Sequence, residues 1–284
     1  MADIINDVDK AAQDIANEMR GHTTMVLTGA GISTDSGLPD YRGKGTTATP
    51  SVHYKDYMER PSWQKWVWFR NQQTWKSGEY LQPNAGHIAL ARLQQAGYIN
   101  GIATQNVDNL HQKAGATAVA ELHGSFKRVK CTECGMWFPR SQIDQIAREL
   151  NPWVEEDYAP TNIEVPEPTD QEVADAQNFI IPPCPNCGGL LKPGVIYFGE
   201  ELPKDEMGKA LAWAREADVV MVVGSSLVVG TGLWVLHEGR KRGTPAHVII
   251  INRGPTKGDK RATVRFDGGA SEVLTRLADI LLDE

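Results

Sequence analysis

The stretch Thr23-Thr-Met-Val-Leu27, followed by Thr28-Gly-Ala-Gly-Ile-Ser33, decides the fold of this chain. The first part is an apolar run with a β-branched residue, which predicts a short buried strand. In the second part, Gly29 and Gly31 allow the backbone to come close to a bulky anionic group, and Ser33 lies where a helix would begin. A strand, a glycine turn and a helix start predict a phosphate cradle, because free N–H groups and the helix dipole point at the anion.

Outward from this stretch, apolar runs alternate with amphipathic segments. Strands are predicted at 98–104, 119–123, 196–198, 218–224 and 246–252, and helices at 4–20, 87–96, 210–216, 233–242 and 271–282. The run Asp218–Gly224 is apolar after its first residue, which is typical of a central parallel strand covered on both faces. Strands that alternate with helices predict an α/β fold built on a doubly wound parallel sheet.

The composition narrows the class of protein. A chain of 284 residues can form one large core, or one core and a small satellite. A net charge of −7 gives no support for nucleic-acid binding. No apolar run approaches the roughly 18 residues needed to span a bilayer, and the acidic N-terminus fits neither a secretory signal nor a transit peptide. We therefore expect a cytoplasmic protein with no membrane or nucleic-acid partner and no structural disulfides.

All four cysteines fall into two pairs, Cys131-x-x-Cys134 and Cys184-x-x-Cys187, on either side of a Pro- and acid-rich segment. Each C-x-x-C turn can bind a metal ion through two thiolates, and two such turns complete a tetrahedral site. Four thiolates leave no open position, so the pattern predicts a structural zinc site. A redox dithiol, or unrelated buried thiols, is the alternative interpretation.

The glycine loop departs from the usual dinucleotide fingerprint. It reads G-x-G-x-x-T and lacks the third glycine. No acidic residue closes a second strand about 20 residues further on, where a dehydrogenase places its ribose anchor. From the loop alone, a turn that binds nothing remains the alternative.

Polar residues follow two further predicted strands. Gln105-Asn-Val-Asp108 lies just past the strand that ends at Thr104, where the ligands of open α/β sheets collect. His123 ends the next predicted strand. An imidazole with an unperturbed pKa of about 6.5 is a natural general base near neutrality, although a lone histidine is more often structural. The carboxamide and carboxylate neighbours are suited to a ribose or a nicotinamide amide.

In these motifs and their order, the chain resembles the sirtuins, which are NAD-dependent protein-lysine deacylases. Besides the two cysteine pairs, the matching segments are Gly29–Ser33, Pro39–Arg42, Thr104–Asp108, Leu122–Gly124, Lys192–Glu200, Gly224–Val228 and Ile251–Asn252. They cover roughly residues 20–282. The phrase Ile251–Thr256 and the long segment between the cysteine pairs resemble class II sirtuins most.

The resemblance implies a Rossmann-like domain with a small inserted zinc-ribbon domain. Residues 1–125 and 192–284 would form the NAD-binding domain, 126–191 the zinc-ribbon domain, and 43–80 a helical module for the cofactor and the acyl pocket. NAD and an acylated lysine of a protein or peptide would enter the cleft from opposite sides. The four cysteines would hold one structural zinc ion.

The resemblance also implies roles for individual residues. Cofactor contacts would come from Gly29, Ala30, Gly31, Ser33, Asp40, Tyr41, Arg42, Gln105, Asn106, Asp108, Gly224, Ser225, Ser226, Asn252, Arg253 and Ala270. His123 would act as the base, with Asn106 and Asp108 also catalytic. Val195, Ile196, Tyr197, Phe198 and Gly199 would pair with the substrate backbone by strand addition, and Phe69 and Gln72 would line the acyl pocket. Arg253 and Ala270 depart from the residues that many members carry there.

In the mechanism that the resemblance implies, the acyl oxygen attacks C1′ of the nicotinamide ribose and nicotinamide leaves. His123 then takes a ribose hydroxyl proton, and hydrolysis gives free lysine and O-acyl-ADP-ribose. No cation stands at Phe69 or Gln72 to receive an acidic acyl group, so we expect a preference for neutral acyl chains. Protein mono-ADP-ribosylation at the same NAD site is the alternative function, and an inactive NAD sensor is a third.

Overall fold

A computed structural model describes residues 2–38, 52–155, 169–239 and 247–283. In these ranges the strands are β1 (Ile4–Ile5), β2 (Thr24–Thr28), β3 (Ile99–Thr104), β4 (Val119–Glu121), β5 (Gly124–Cys131), β6 (Trp137–Pro139), β7 (Leu191–Val195), β8 (Val219–Val223), β9 (His247–Ile251) and β10 (Val264–Phe266). The α-helices are α1 (Val8–Met19), α2 (Tyr54–Glu59), α3 (Pro61–Tyr80), α4 (Ala85–Gln95), α5 (Leu110–Lys113), α6 (Arg140–Leu150), α7 (Asp170–Asp175), α8 (Lys204–Glu216), α9 (Gly230–Glu238) and α10 (Ala270–Leu282).

Seven parallel strands form the large sheet, in the order β1-β10-β9-β8-β2-β3-β4. The chain adds strands in one direction from β2 to β4 and in the other from β8 to β10. The order therefore reverses between β2 and β8, where Thr28 lies beside Val223. Ligands of open α/β sheets bind outside the carboxyl ends of the strands at such a reversal. The predicted doubly wound parallel sheet is confirmed.

Helices cover both faces of this sheet, because side chains alternate between the faces along each strand. In β8, Met221 and Val223 pack into a cluster with α1, α4 and α10. Val220 and Val222 point the other way and pack with α8 and α9. Every residue of β2 and β8 is buried, which explains why the run around β8 reads as uniformly apolar.

A second, antiparallel sheet of three strands has the order β6-β5-β7. Its core is small and includes Val129, Phe138, Leu191 and, from α6, Ile143. Two of the cysteines, Cys131 and Cys184, are buried in the same cluster. This second sheet agrees with the predicted small insertion, whereas the domain boundaries remain a prediction.

Some predicted elements differ from those in the structure. No α-helix begins at Ser33 in the described part of the glycine loop. Two single 3-10 turns, Ala30–Ile32 and Thr34–Ser36, follow β2 instead, and Gly37 ends the second with a φ of 90°. The prediction of a strand at 196–198 is wrong: β7 ends at Val195 and belongs to the small sheet, and Phe198 forms only an isolated bridge with His53. Within the described ranges, no helix is both long enough and apolar enough to cross a membrane.

Candidate active site and metal centre

The loops after β2 and β8 pack directly against each other through glycines. Gly29 N–H donates to the Val223 carbonyl at 3.0 Å, and Gly31 N–H donates to the Gly224 carbonyl at 2.9 Å. A Cβ on Gly31 would lie 2.8 Å from Gly224 Cα, and one on Gly224 would lie 2.3 Å from Ile32 N. Gly224 also has a φ of +61°, which side chains rarely adopt. Only glycines allow this contact at the order reversal.

This contact corrects the prediction of a loop with free N–H groups. The N–H groups of Gly29 and Gly31 are bonded to the β8 end, and Ser33 N–H donates to the Ala30 carbonyl at 3.0 Å. Both glycines provide close approach, but to another backbone segment. The sequence could not show this, because the partner glycine lies almost 200 residues further along the chain.

The structure brings together Ser33, Asn106 and Asp108, three of the predicted cofactor contacts. Ser33 Oγ donates to Asp108 Oδ2 at 2.7 Å, and Asn106 Nδ2 donates to Ser33 Oγ at 3.1 Å and to the Gly29 carbonyl at 3.2 Å. The second carboxylate oxygen of Asp108 accepts from Leu110 N at 2.9 Å. All three side chains are buried. The carboxylate is thus fixed in place by bonds within the chain.

Two buried histidines complete this network and were missed in the sequence. His87 Nε2 lies 3.4 Å from Ser33 Oγ, and His111 Nε2 lies 2.9 Å from Thr28 Oγ1. Burial lowers the pKa of His87 to about 4, although Asp108 acts in the opposite direction, and it lowers the pKa of His111 well below 6.5. Both rings are neutral near pH 7. In the sequence, His87 could have been found by its position three residues after Asn84, with which it forms the capping box of α4.

His123 follows β4 and is half-buried at the carboxyl edge of the large sheet. Its Nδ1 lies 3.0 Å from the Gln105 carbonyl, and its Nε2 lies 2.9 Å from Thr231 Oγ1. Burial lowers its pKa, and the bond to the Gln105 carbonyl opposes this. A carbonyl only accepts, so Nδ1 carries the hydrogen of the neutral ring and Nε2 carries the lone pair, which faces Thr231 Oγ1. His123 is therefore arranged as a base.

The end of β7 passes directly beside His123. A Cβ on Gly124, which has a φ of +77°, would lie 2.0 Å from the Gly194 carbonyl oxygen. The close approach that glycine permits lets Ile196 N donate to the His123 carbonyl at 2.8 Å.

The predicted substrate edge at Val195–Gly199 is only partly available. Besides Ile196 N, the Phe198 carbonyl accepts from Tyr54 N at 2.9 Å, and Tyr197 N donates to Glu200 Oε2 at 2.9 Å. Tyr197 is buried, whereas the Phe198 side chain is half-exposed. A continuous free edge along the whole segment is thus excluded in this conformation, because neighbouring segments already use several of its backbone groups.

Ser225 is joined to the His123 region, and the adenosine-end residues lie further along the edge. Ser225 Oγ donates to Gln105 Oε1 at 2.7 Å. Ser226 contributes its carbonyl to Lys257 N at 3.0 Å. Asn252, at the end of β9, bonds within its own loop through Nδ2. Arg253 is exposed with its guanidinium beside Gly269, and Ala270 is buried at the start of α10.

The residues predicted for the acyl pocket lie beside the small sheet. Phe69 stacks on Trp153 with 5.9 Å between ring centroids and meets Phe179 edge-on at 6.4 Å. Gln72 Nε2 donates to the Asn151 carbonyl at 3.2 Å, and Gln72 Oε1 is buried with no hydrogen-bond partner among the described residues. The predicted cofactor contacts Asp40, Tyr41 and Arg42 lie outside the described residues.

The four cysteines converge as predicted. Their sulfur atoms all lie within 4.8 Å of one another, with Cys131 Sγ 3.6 Å from Cys187 Sγ and Cys134 Sγ 3.8 Å from Cys184 Sγ. A zinc ion with four thiolate bonds of about 2.3 Å separates its sulfurs by about 3.8 Å. These distances are far longer than a disulfide bond, and the arrangement fits a zinc ion with no open position.

Comparisons with known proteins agree with this geometry. A family model described as "Sir2 family" matches residues 29–231. The NAD-dependent protein deacetylase 1 of Mycobacterium avium (strain 104) is 42% identical over 264 residues, which is 93% of either chain. The protein of the same name from Streptomyces coelicolor is 38% identical and covers 94% of this chain and 89% of its own. A solved structure described as a complex of Sir2, a p53 peptide and NAD+ is 26% identical, with a TM-score of 0.71, over 96% of this chain and 99% of that one.

Proposed function

We propose that this chain, which belongs to the Sir2 family, releases acyl groups from protein lysines with His123 as the base. It is an NAD-dependent protein deacylase, like the deacetylases that it matches over nearly its whole length. Its products are nicotinamide, O-acyl-ADP-ribose and free lysine, so NAD is consumed and no hydride is transferred.

One observation carries the assignment of the base. The His123 ring is held neutral with its Nε2 lone pair directed away from the backbone, at the carboxyl edge of the sheet. General bases work best when their neutral form dominates at the operating pH. His87 and His111 are also neutral, but their rings are fully buried in the network around Ser33.

The donor set at the sheet edge fits a dinucleotide. Carboxamides, hydroxyls and one carboxylate, from Gln105, Asn106, Ser225 and Asp108, gather at the order reversal. Such groups suit ribose hydroxyls and a nicotinamide amide. Gly29, Gly31 and Gly224 would contribute backbone to the same edge, with Ala30, Ser226 and the adenosine-end residues Asn252, Arg253 and Ala270 beyond it.

His123, Asp108 and Asn106 would have different roles in the reaction. Bound NAD supplies the bond between nicotinamide and ribose that is broken. His123 accepts at Nε2 the proton of a ribose hydroxyl. Asp108, fixed by Ser33 and Leu110 N, provides a negative charge that favours the positive charge developing on the ribose carbon. Asn106 donates to Ser33 Oγ and to the Gly29 carbonyl, and so helps to fix the position of that carboxylate.

The peptide substrate would use the groups of Val195–Gly199 that remain unpaired, beside the exposed Phe198 ring. Phe69 and Gln72 would form the wall of the acyl pocket. Neither carries a charge, so burying a succinyl carboxylate there would be costly. We therefore propose a preference for acetyl or longer neutral acyl groups.

The cysteines hold one structural zinc ion, which stabilises the small sheet and takes no part in the chemistry. We propose an inserted domain of residues 126–191, between the two parts of the NAD-binding domain at 1–125 and 192–284, with 43–80 as the helical module. The small sheet extends slightly past these bounds, because β5 begins at Gly124 and β7 ends at Val195. The cytoplasmic location also remains a prediction.

Product analysis tests the function. Purified protein is mixed with NAD and a panel of acetyl-, longer neutral acyl- and succinyl-lysine peptides, and the products are identified by mass spectrometry. We expect free lysine and O-acyl-ADP-ribose in equal amounts, and faster turnover of the neutral acyl groups. ADP-ribose attached to a protein, with the acyl-lysine left intact, would support mono-ADP-ribosylation instead. Succinyl turnover equal to acetyl turnover would refute the acyl preference.

A further inference from the structure

Thr231 is a residue of the site to which the sequence did not point. It is the second residue of α9 and is buried. Its hydroxyl oxygen lies 2.9 Å from His123 Nε2 and 3.1 Å from Gln105 Nε2. Thr231 is thus in direct contact with the atom of His123 that would accept the proton.

The direction of each hydrogen bond in this group can be assigned. Ser225 Oγ accepts from Leu227 N at 3.3 Å and donates to Gln105 Oε1 at 2.7 Å. The carboxamide of Gln105 therefore turns its NH2 group to Thr231, whose hydroxyl accepts one N–H. The same hydroxyl donates its own hydrogen to His123 Nε2, because Nδ1 of that ring carries the hydrogen.

The bonds form a closed circuit around the Gln105 residue. The side chain of Gln105 bonds to Thr231, which bonds to Nε2 of the imidazole. The backbone carbonyl of Gln105 accepts from the other ring nitrogen, Nδ1. The imidazole is therefore held at both nitrogens, and each bond polarises the next in the same direction. A ring held in this way keeps both its orientation and its tautomer.

We propose that Thr231 is a positioning residue that fixes the orientation and tautomer of His123 until a ribose hydroxyl replaces the Thr231 O–H at Nε2. The proposal rests on His123 being the base of the proposed reaction. Thr231 touches the base and is argued to act through it.

A hydroxyl suits this position in both protonation states of the ring. Before proton transfer, the Thr231 O–H donates to the Nε2 lone pair. Nε2 has a single lone pair, so the Thr231 hydroxyl rotates away as the ribose hydroxyl arrives. Once Nε2 has taken the ribose proton, the Thr231 oxygen can accept from the new N–H. No bond to Thr231 is broken apart from these hydrogen bonds. Valine has nearly the same shape and can do neither, whereas serine keeps the hydroxyl.

The test compares Thr231→Val and Thr231→Ser with wild type. We expect Thr231→Val to lower kcat about 3- to 10-fold, the factor that one ordinary hydrogen bond is worth, with the KM for NAD nearly unchanged. Thr231→Ser should restore most of the rate. Thr275→Val is the matched control, because it removes a hydroxyl that, among the described residues, bonds to the Ser271 carbonyl within α10 and not to the site.

A second readout needs no activity. In the free protein, the 15N resonance of His123 Nε2 should move towards the value of an unbonded ring nitrogen in Thr231→Val and return in Thr231→Ser. An unchanged resonance and rate in a folded Thr231→Val would overturn the role of Thr231 even with an active wild type. An inactive wild type, or an active His123→Ala, would instead overturn the proposed function, whatever the resonance shows.

Discussion

The carboxyl edge of the large sheet and the cysteine end of the small sheet are held together by different forces. The edge rests on strands buried on both faces, and Ser33, Asp108 and Ser225 there bond to partners within the chain. The small sheet has a limited core and brings four thiols within 4.8 Å of one another. Four thiolates that close together repel each other unless a cation lies between them. One site is thus preorganised by packing, whereas the other depends on a metal.

The largest expected effect is on the small sheet. Cys184→Ser removes one of four ligands, and metal binding worth about 10–16 kcal/mol in zinc-finger peptides is coupled to folding. We expect loss of zinc from the purified protein, and loss of amide protection in β5, β6 and β7 by hydrogen exchange. The strands β2, β3 and β8 should stay protected. Lys209→Ala, at an exposed position of α8, is the control.

Two other outcomes would contradict the stated difference between the two regions. If Cys184→Ser loses its zinc and all three strands of the small sheet stay protected, the metal is not structural. If the large sheet opens together with the small one, the two regions do not differ in the way described.

A smaller effect is expected at the glycine contact of the large sheet. Gly224→Ala places a Cβ 2.3 Å from Ile32 N at a φ of +61°. The left-handed backbone costs about 1–2 kcal/mol, and the clash with backbone adds to it. We expect a lower free energy of unfolding and weaker NAD binding, measured by urea titration and calorimetry.

Gly97→Ala separates the two causes. Gly97 has a φ of +87° with nothing within 4 Å of its Cβ position. In this variant only the strained backbone conformation should lower the free energy of unfolding, and the affinity for NAD should be kept. Equal losses of NAD affinity in both variants would show that the contact between the β2 and β8 loops does not shape the site.

The effect that is smallest near pH 7 is a pH dependence of stability, which develops only as the pH falls. The pKa of His87 is about 4 in the folded protein and near 6.5 in the unfolded chain. Between these values the unfolded chain binds more protons, so the free energy of unfolding rises with pH there. The contribution of His87 to the free energy of unfolding is therefore fully present above about pH 6.5. It falls towards pH 4 by at most about 1.4 kcal/mol per pH unit.

Urea unfolding at several pH values measures this slope. His87→Gln should make this slope shallower, because glutamine does not titrate, while buried His111 still contributes a slope of the same sign. Thr275→Val, which removes no titratable group, should leave the slope unchanged. An identical slope in wild type and His87→Gln would show that the buried network is not what makes the edge sensitive to acid.

The sequence predicted the elements with strong patterns. The apolar run around β8 predicted the central strand, and the cysteine spacing predicted the thiol cluster. Each of these patterns depends on residues that are close together in the sequence. Ser33, Asn106 and Asp108 were also named as site residues, through the resemblance and through their places after β2 and β3, and their roles remain predictions.

What escaped prediction depends on distant partners. The glycines after β2 pack on Gly224, and the hydroxyl on His123 Nε2 comes from Thr231, more than 100 residues away. Neither contact leaves a periodic signal. The same holds for Val195–Gly199, whose backbone groups are partly used by Tyr54 and Glu200.

The most direct test of the central claim is the reaction of His123→Ala with NAD and an acetyl-lysine peptide, followed by mass spectrometry of the released lysine. We predict that lysine release falls by about 10²- to 10⁴-fold, while NAD binding by calorimetry is largely kept. His22→Ala, at the opposite edge of the sheet, should react like wild type. Lysine release by His123→Ala at a rate near that of wild type would contradict the account.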